Sequence, residues 1–446
     1  MIESLSVTNF YCFKERTSIL FTAKKERKRN GDPRFCGFTT QNKVNILKLV
    51  YLLGNNGSGK SKMLYAFDAL QYLITQVRGQ KDDLLSFAPF AFDDACQQLP
   101  SVIEIVYHLD NVRYAYQIKW NKYLILDEEL KELRPKSEVV LFHRWHDVEF
   151  NVVRFNYHPS LKLDDNEAYL LFTSVLGNNS ILSTVITTNL SNQGLNQQFY
   201  FFKNGFTKLD IHDTDLYEEL PDDKTEHDKK LKKVITTFLQ SVDTNIMSYE
   251  KIKVDVEYPS GFLQKMKTIF EDDPEKMQEL LRLDRDRHTV NTFHRLEKGA
   301  TRRGRLSLSE QSDGTKEILR MLIVLNEAIQ KKKTIILDDY SSGIQRNTLN
   351  QLIRFFIAAS SDSQLIISTQ DYGLLDFDIV RRDSIRFLVK DDFAEAHVES
   401  IDLSKLHKNS SLHHYVSKMN VYKQLPEMNE ELFNDLLNVY AALDDK

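Results

Sequence analysis

The sequence predicts a mixed α/β fold with an antiparallel β-region and a compact, mostly helical insertion, and three observations carry that expectation. An apolar run, Val44 to Leu53, leads straight into Gly54-Asn55-Asn56-Gly57-Ser58-Gly59-Lys60-Ser61, which fits the phosphate-loop pattern G-x-x-x-x-G-K-[ST]. Residues 101 to 142 alternate apolar and polar side chains with turn residues between, the pattern of antiparallel strands. Beyond residue 317 apolar runs of strand length alternate with helical periodicity, which implies parallel βαβ units.

The elements follow in order. Ile2, Leu5, Val7, Phe10, Phe13, Ile19 and Phe21 read as one or two strands with a turn near Lys14-Glu15-Arg16. Lys24 to Pro33 is polar and ends in turn residues, so it reads as a loop. Its Lys24–Arg29 cations either contact nucleic-acid phosphates or are simply solvated. Val44 to Leu53 reads as one buried strand, and Met63, Leu64, Phe67, Leu70, Ile74 and Val77 recur at helical spacing after the loop. A hairpin turns at Asp110-Asn111, and strands continue over 124–133 and 139–142. From about 165 to 300 the pattern becomes helical and polar, without the sustained heptads of a coiled-coil arm. The last third reads as helix 317–330, strand 334–337, helix 347–359, strand 364–368, strand 384–389 and a helical tail with a helix over 430–443. The expected organisation is therefore 1–160, 161–300, 301–400 and a 401–446 tail.

Composition bounds the function. At 446 residues, 41% hydrophobic and 28% charged, the chain can build two or three domains with sizeable cores. A net charge of −5 excludes a wholesale nucleic-acid coat, so any such contact is local. No signal-peptide or membrane-spanning pattern occurs, and the expectation is a cytoplasmic protein without a membrane partner. Cys12, Cys36 and Cys96 show neither C-x-x-C spacing nor a disulfide framework.

In the phosphate loop, glycines let consecutive amides curl around an anion at a helix N-terminus, where unpaired donors and the helix dipole favour negative charge. Asn55, Asn56, Gly57, Ser58 and Gly59 would form the cradle. Lys60 would reach the β- and γ-phosphates, and the Ser61 hydroxyl would ligate Mg²⁺. The apolar run 334–337 ends in Asp338-Asp339. Asp338 is expected in the Mg²⁺ shell, and Asp339 where a second carboxylate orients the attacking water. Ser312-Asp313-Gly314-Thr315-Lys316 is a second small, polar, glycine-containing turn that opens a helix. Ser312 or Asp313 could be an ordinary N-cap, and Ser312, Gly314 and Thr315 could also cap a partner's γ-phosphate. Asp284-Arg285-Asp286 reads as a charged helical stretch rather than a metal pair, and the histidines lack zinc spacing. Lys298 to Arg305, with Arg302, Arg303 and Arg305, could bind nucleic-acid phosphates, pair with ATP across a dimer, or be a solvated loop.

Ser312 to Lys316 resembles the signature loop of ATP-binding-cassette ATPases, in the S-x-G-T-[KR] form of those related to SMC and RecF. The likeness extends along most of the chain. Val7-Thr8-Asn9-Phe10 resembles the opening element of the RecF/OLD-like AAA-family ATP-binding proteins, and Pro89 to Asp93, Pro100 to Ile105, Asp127 to Leu130, Leu141 to Arg144 and Ser180 to Ser183 follow that family's order. Many of its members serve anti-phage systems, among them Septu, PARIS and the abortive-infection ATPases.

The resemblance implies an ATP-binding-cassette-type P-loop ATPase head, ATP with Mg²⁺ as cofactors, a head-to-head homodimer with higher oligomers built from it, and a separate effector such as a nuclease. The chain itself shows no HNH or TOPRIM-like nuclease motif. It departs from the family pattern at three places. Asp339 stands where Glu is usual, Ser342-Gly343-Ile344-Gln345 where S-L-H-P is usual, and Gln370 where the switch histidine is usual. Asp is one methylene shorter than Glu, and misplacement by about 1 Å can cost on the order of a hundredfold in rate. Gln370 can donate a hydrogen bond but cannot carry an imidazolium charge. These departures predict slow or lost hydrolysis, with nucleotide acting as a clamp. The expected role is sensor or scaffold of a defence system; the alternative is an active DNA-repair or DNA-end-processing ATPase, and a third is a nucleotide-dependent interaction module.

Overall fold

Continuous apolar runs buried on both faces mark the central strands of a parallel sheet, and here they separate two cores. The computed structural model describes residues 1–23, 38–39, 44–209, 220–221, 224–241, 245–253, 260–269, 288–295, 303–340, 344–377, 379–401 and 416. Its strands are β1 (Ile2–Thr8), β2 (Thr17–Leu20), β3 (Phe38–Thr39), β4 (Asn45–Ile46), β5 (Leu49–Leu53), β6 (Ser101–Leu109), β7 (Val112–Trp120), β8 (Ile125–Leu133), β9 (Glu138–Asp147), β10 (Val152–Tyr157), β11 (Phe206–Leu209), β12 (Ile246–Lys253), β13 (His288–Arg295), β14 (Arg303–Ser307), β15 (Thr334–Leu337), β16 (Gln364–Thr369), β17 (Ile385–Lys390) and β18 (Ala396–Ser400). The helices are α1 (Lys60–Thr75), α2 (Asp94–Gln98), α3 (Asp165–Ser174), α4 (Ile181–Thr187), α5 (Gln193–Asn204), α6 (Glu226–Ser241), α7 (Ser260–Ile269), α8 (Asp313–Lys331) and α9 (Arg346–Ala359).

A six-stranded sheet runs β11-β15-β16-β5-β17-β18, parallel except for the terminal β18. Within it Val50, Leu52, Ile336, Ile366 and Leu388 enter one core, while Leu49, Tyr51, Leu53, Ile335, Leu337, Leu365, Ile367 and Phe387 enter the other. The first core is closed by α1, α4, α5 and a seven-stranded antiparallel sheet, β10-β9-β8-β7-β6-β1-β2. Helices α6, α8 and α9 cover the second. The chain is thus a mixed α/β fold with an antiparallel sheet and helices on both sides.

The β6–β7 turn follows its sequence: Asp110 and Asn111 both sit in the left-handed region, at φ 47° and 65°, as a tight hairpin of that twist requires. The run 44–53 is divided where one strand was expected. Lys48 breaks it, burying its stem and donating from Nζ to Ile357 O and Ser360 O, at 3.0 and 2.6 Å. A cation on those carbonyls also suits the C-terminal end of α9.

The helical reading of 165–300 needs amendment. Residues 165–204 do form α3 to α5, but β11 joins the parallel sheet and β12-β13-β14 make a third, antiparallel sheet. The 298–305 loop ends sooner than expected, since Arg303 already begins β14. Lys24–Arg29, Cys36, Asp284-Arg285-Asp286, Lys298–Arg302, Ser342-Gly343 and the 430–443 helix lie outside the described residues. Among the described residues no helix is long and apolar enough to cross a membrane. Cys12 and Cys96 are buried thiols, and burial raises the pKa of both.

Candidate functional site

The register of three neighbouring parallel strands brings the motifs together. Leu53 of β5 pairs with Thr369 of β16, and Ile367 of β16 pairs with Leu337 of β15. Gly54, Gln370 and Asp338 each follow directly, so the loop, the acid pair and the switch position leave one carboxyl edge of the sheet. Open α/β sheets bind ligands at that edge.

The loop is shaped by glycines that no other residue could replace at two positions. A Cβ on Gly54 would lie 2.5 Å from Leu388 O. Gly59, at φ 100°, sits where a Cβ would lie 2.8 Å from Cys12 Sγ. Gly59 is also the N-cap of α1 and brings no side-chain acceptor, which leaves first-turn amides for an outside anion. Asn56, Gly57 and Ser61 are exposed, whereas Ser58 is buried and its Oγ has no hydrogen-bond partner among the described residues. Lys60 is buried and folded onto its own loop, donating to Gly54 O at 2.8 Å and Asn55 O at 3.0 Å. Burial pushes its pKa down, opposed by the charges of Asp339 and Asp338. An inward ammonium facing two carboxylates, below a helix N-terminus lacking a cap, fits a phosphate with its divalent cation.

The acid pair is held by a residue on the adjacent strand. Ser368, fully buried, donates from Oγ to Asp338 Oδ1 at 2.7 Å and accepts from the Asp339 amide at 2.7 Å. Its carbonyl accepts from the Tyr340 amide at 2.9 Å. This clamp turns the chain sharply: Asp339 has φ 45°, a left-handed conformation, and an exposed side chain. Asp338 is less exposed, and its Oδ2 meets Lys208 Nζ of β11 at 3.2 Å. Lys208 also approaches Asp68 Oδ2 on α1 at 3.5 Å and lies 4.7 Å from the Tyr65 ring centroid. Burial raises the Asp68 pKa, with Lys208 opposing the shift.

Gln370 is exposed beside a cavity of about 320 Å³ that Tyr340, Arg346, Thr369 and Asp371 help to line. Arg346 of α9 grips Asp371 through Nη2 at 2.8 Å and Nε at 3.2 Å, and Tyr372 Oη reaches Asn55 Oδ1 at 3.4 Å. The switch segment is thereby tied both to α9 and to the phosphate loop.

Ser312, by contrast, is the N-cap of α8. Its Oγ accepts from the Thr315 amide at 3.2 Å and lies 2.9 Å from Thr315 Oγ1. Ser312 is exposed, Thr315 is buried and Gly314 lies between; no hydrogen bond among the described residues joins Ser312 or Thr315 to Gly57, Lys60 or Ser61. Arg305 lies on β14 against β13. With its carboxamide oxygen turned to the guanidinium, Asn291 accepts from Arg305 Nε and Nη2 at 3.2 and 2.7 Å.

Sequence reading missed Lys208, Asp68 and the clamping role of Ser368. Asp68 had a local signal, since it lies about two turns beyond Lys60 on α1. Lys208 had none, because only the pairing of β11 with β15 brings it to Asp338.

A protein-family model described as "AAA domain, putative AbiEii toxin, Type IV TA system" matches residues 49–376. No curated protein matches the sequence. Among solved structures, the SMC head domain from Thermotoga maritima is similar at 10% identity and TM-score 0.38, covering 90% of this chain and 99% of that one. An SmcHead bound to the C-winged helix domain of ScpA is similar at 12% identity and TM-score 0.42, covering 91% of this chain and 99% of that one.

Proposed function

We propose, for a chain that belongs to this AAA-domain family of abortive-infection type, that it is the ATP-binding sensor or scaffold subunit of a bacterial anti-phage defence system. The observation that carries the nucleotide reading is the convergence of the Lys60 loop, Asp338 and Gln370 at one carboxyl edge of adjacent parallel strands. Asn55 to Gly59 would cradle the phosphates, and Lys60 would exchange its two backbone carbonyls for phosphate oxygens. Ser61 and Asp338 would hold Mg²⁺, which neutralises phosphate charge when bound. Asp339 and Gln370 would stand on the γ-phosphate side as a short carboxylate and a neutral amide, a pairing that supports retention of ATP over turnover.

Two copies would face each other, with Ser312, Gly314 and Thr315 of one closing over the Lys60 loop of the other. The exposed Ser312 cap at the start of α8 supports this geometry. Nucleotide occupancy would then set the state of a cytoplasmic dimer, or a larger assembly of dimers, that regulates a separate effector of nuclease type.

The test measures fluorescent-ATP binding, ATP turnover and solution mass for the wild type and Lys60→Ala. The expected result is tight binding with a shift to dimer in the wild type, turnover far below the median enzyme rate of about ten per second, and at least about tenfold weaker binding in the variant. Unchanged binding in Lys60→Ala overturns the nucleotide site. Rapid turnover stimulated by DNA would replace the sensor reading with a DNA-processing motor.

A further inference from the structure

Asp338, the acid on which this functional reading depends for Mg²⁺, already has a cation of the protein's own. Lys208 Nζ lies 3.2 Å from Asp338 Oδ2 and 3.5 Å from Asp68 Oδ2, with the Tyr65 ring centroid at 4.7 Å. Its side chain is 21% exposed and that of Asp338 17%, so the pair is shielded and not a surface encounter. Lys208 is anchored in β11, whose parallel pairing with β15 places Lys208 opposite Ile336, two residues before Asp338. The carboxylate is oriented from its other oxygen by Ser368 Oγ at 2.7 Å. One oxygen of Asp338 thus belongs to the clamp and the other to Lys208.

We infer that Lys208 is an internal competitor of Mg²⁺: a positioning residue that neutralises Asp338 when the metal is absent and withdraws to Asp68 when Mg²⁺ takes the carboxylate. The inference rests on the nucleotide reading above, and charge decides its logic. Without a counter-cation, Asp338 and Asp339 would present two negative charges to incoming phosphates, and the repulsion is strongest in a shielded cleft. With Lys208 in place that repulsion is reduced, but Mg²⁺ must break an ion pair to engage Asp338. Asp68 gives the displaced ammonium a second partner, so the exchange leaves no buried charge alone. Lys208 therefore tunes how much Mg²⁺ the site needs.

The experiment titrates Mg²⁺ against binding of a fluorescent ATP analogue, and repeats the binding in excess chelator, for the wild type, Lys208→Met, Lys208→Arg and Asp68→Asn. Lys208→Met is expected to lower the half-saturating Mg²⁺ by about three- to tenfold, the reach of a partly shielded ion pair, and to weaken metal-free nucleotide binding. Lys208→Arg keeps the charge and stays near the wild type. Asp68→Asn removes the alternative partner and raises the Mg²⁺ requirement. An unshifted Mg²⁺ midpoint in both Lys208→Met and Asp68→Asn, whatever happens to their thermal stability, reduces Lys208 to a structural ion pair and overturns the inference alone. Wild-type protein that binds no nucleotide at any Mg²⁺ concentration overturns the functional reading and this inference together.

Discussion

Removing one hydroxyl should loosen the acid pair without opening a hole. Ser368 is fully buried between β5 and β15, and its Oγ both donates to Asp338 Oδ1 and accepts from the Asp339 amide, each at 2.7 Å. Ser368→Ala keeps the volume nearly constant, so no cavity cost enters. The bond to a carboxylate contributes about 1.5–3 kcal/mol, and a buried amide left without an acceptor costs about 1–3 kcal/mol. Asp339 is exposed enough for water to reach its amide in part, which places the sum at about 2–4 kcal/mol. Urea unfolding should register that loss. Nucleotide affinity in Mg²⁺ should fall with it, because Asp338 then answers to Lys208 alone. Asp338→Asn serves as the comparison, since it keeps an oxygen for Ser368 but loses the charge. Stability of Ser368→Ala within about 0.5 kcal/mol of wild type, with unchanged Mg²⁺-dependent binding, would refute the clamp.

Gly59→Ala combines left-handed strain of about 1–2 kcal/mol with overpacking of about 1–3 kcal/mol against Cys12 Sγ, because its φ is 100° and the new Cβ would lie 2.8 Å from the sulfur. A thermal melt indistinguishable from wild type would show that the loop can move aside. Glu128 is fully buried, accepts from Tyr116 Oη at 2.9 Å and from the Ile181 amide at 2.8 Å, and burial pushes its pKa up to about 7, against the Arg144 charge. Its unfolded carboxyl ionises first as pH rises, so between about 4.5 and 7 the folded state loses stability, by about 3 kcal/mol in total, and the loss is complete above that window. The stability difference between wild type and Glu128→Gln should therefore fall across that window; a difference independent of pH would contradict the raised pKa.

The legible parts of this molecule are those whose cause is local. Asp110 and Asn111 accept left-handed backbone, so their hairpin could be read directly; the runs 49–53, 334–337 and 364–369 are buried throughout, and their apolar stretches Leu49–Leu53, Ile335–Leu337 and Leu365–Ile367 carry the signal of strands covered on both faces. The phosphate loop announced itself because its glycines are required by backbone shape. What escaped depends on partners distant in sequence. Strand β11 is four residues, Phe206-Thr207-Lys208-Leu209, too short for periodicity, and its parallel mate begins at Thr334. Strand β12 carries Tyr249-Glu250-Lys251-Ile252, a mixed charged pattern that a surface helix could equally show, and β13 resolves it only by pairing Tyr249 with Thr292. Lys208 shared that fate, since its chemistry is created by a strand pairing.

The same contrast bears on why Asp stands at 339. A glutamate would carry its carboxylate one methylene farther, yet the position has φ 45° and its amide is pinned by Ser368. Asp and Asn tolerate left-handed backbone better than longer side chains, because a short polar group can hydrogen-bond locally. The turn that fixes Asp338 therefore favours the shorter carboxylate at 339. Gln370 leaves the neighbouring strand end beside it, neutral at every pH, while Arg346 and Tyr372 tie the following segment to α9 and to Asn55. A site arranged in this way invests its rigidity in holding the Asp338 carboxylate and the Gly54–Ser61 loop in register. In the proposed reading, Asp339 and Gln370 would stand where water is activated, and there the site would offer a short carboxylate and an amide that cannot take up a proton, the arrangement expected of a nucleotide-gated clamp.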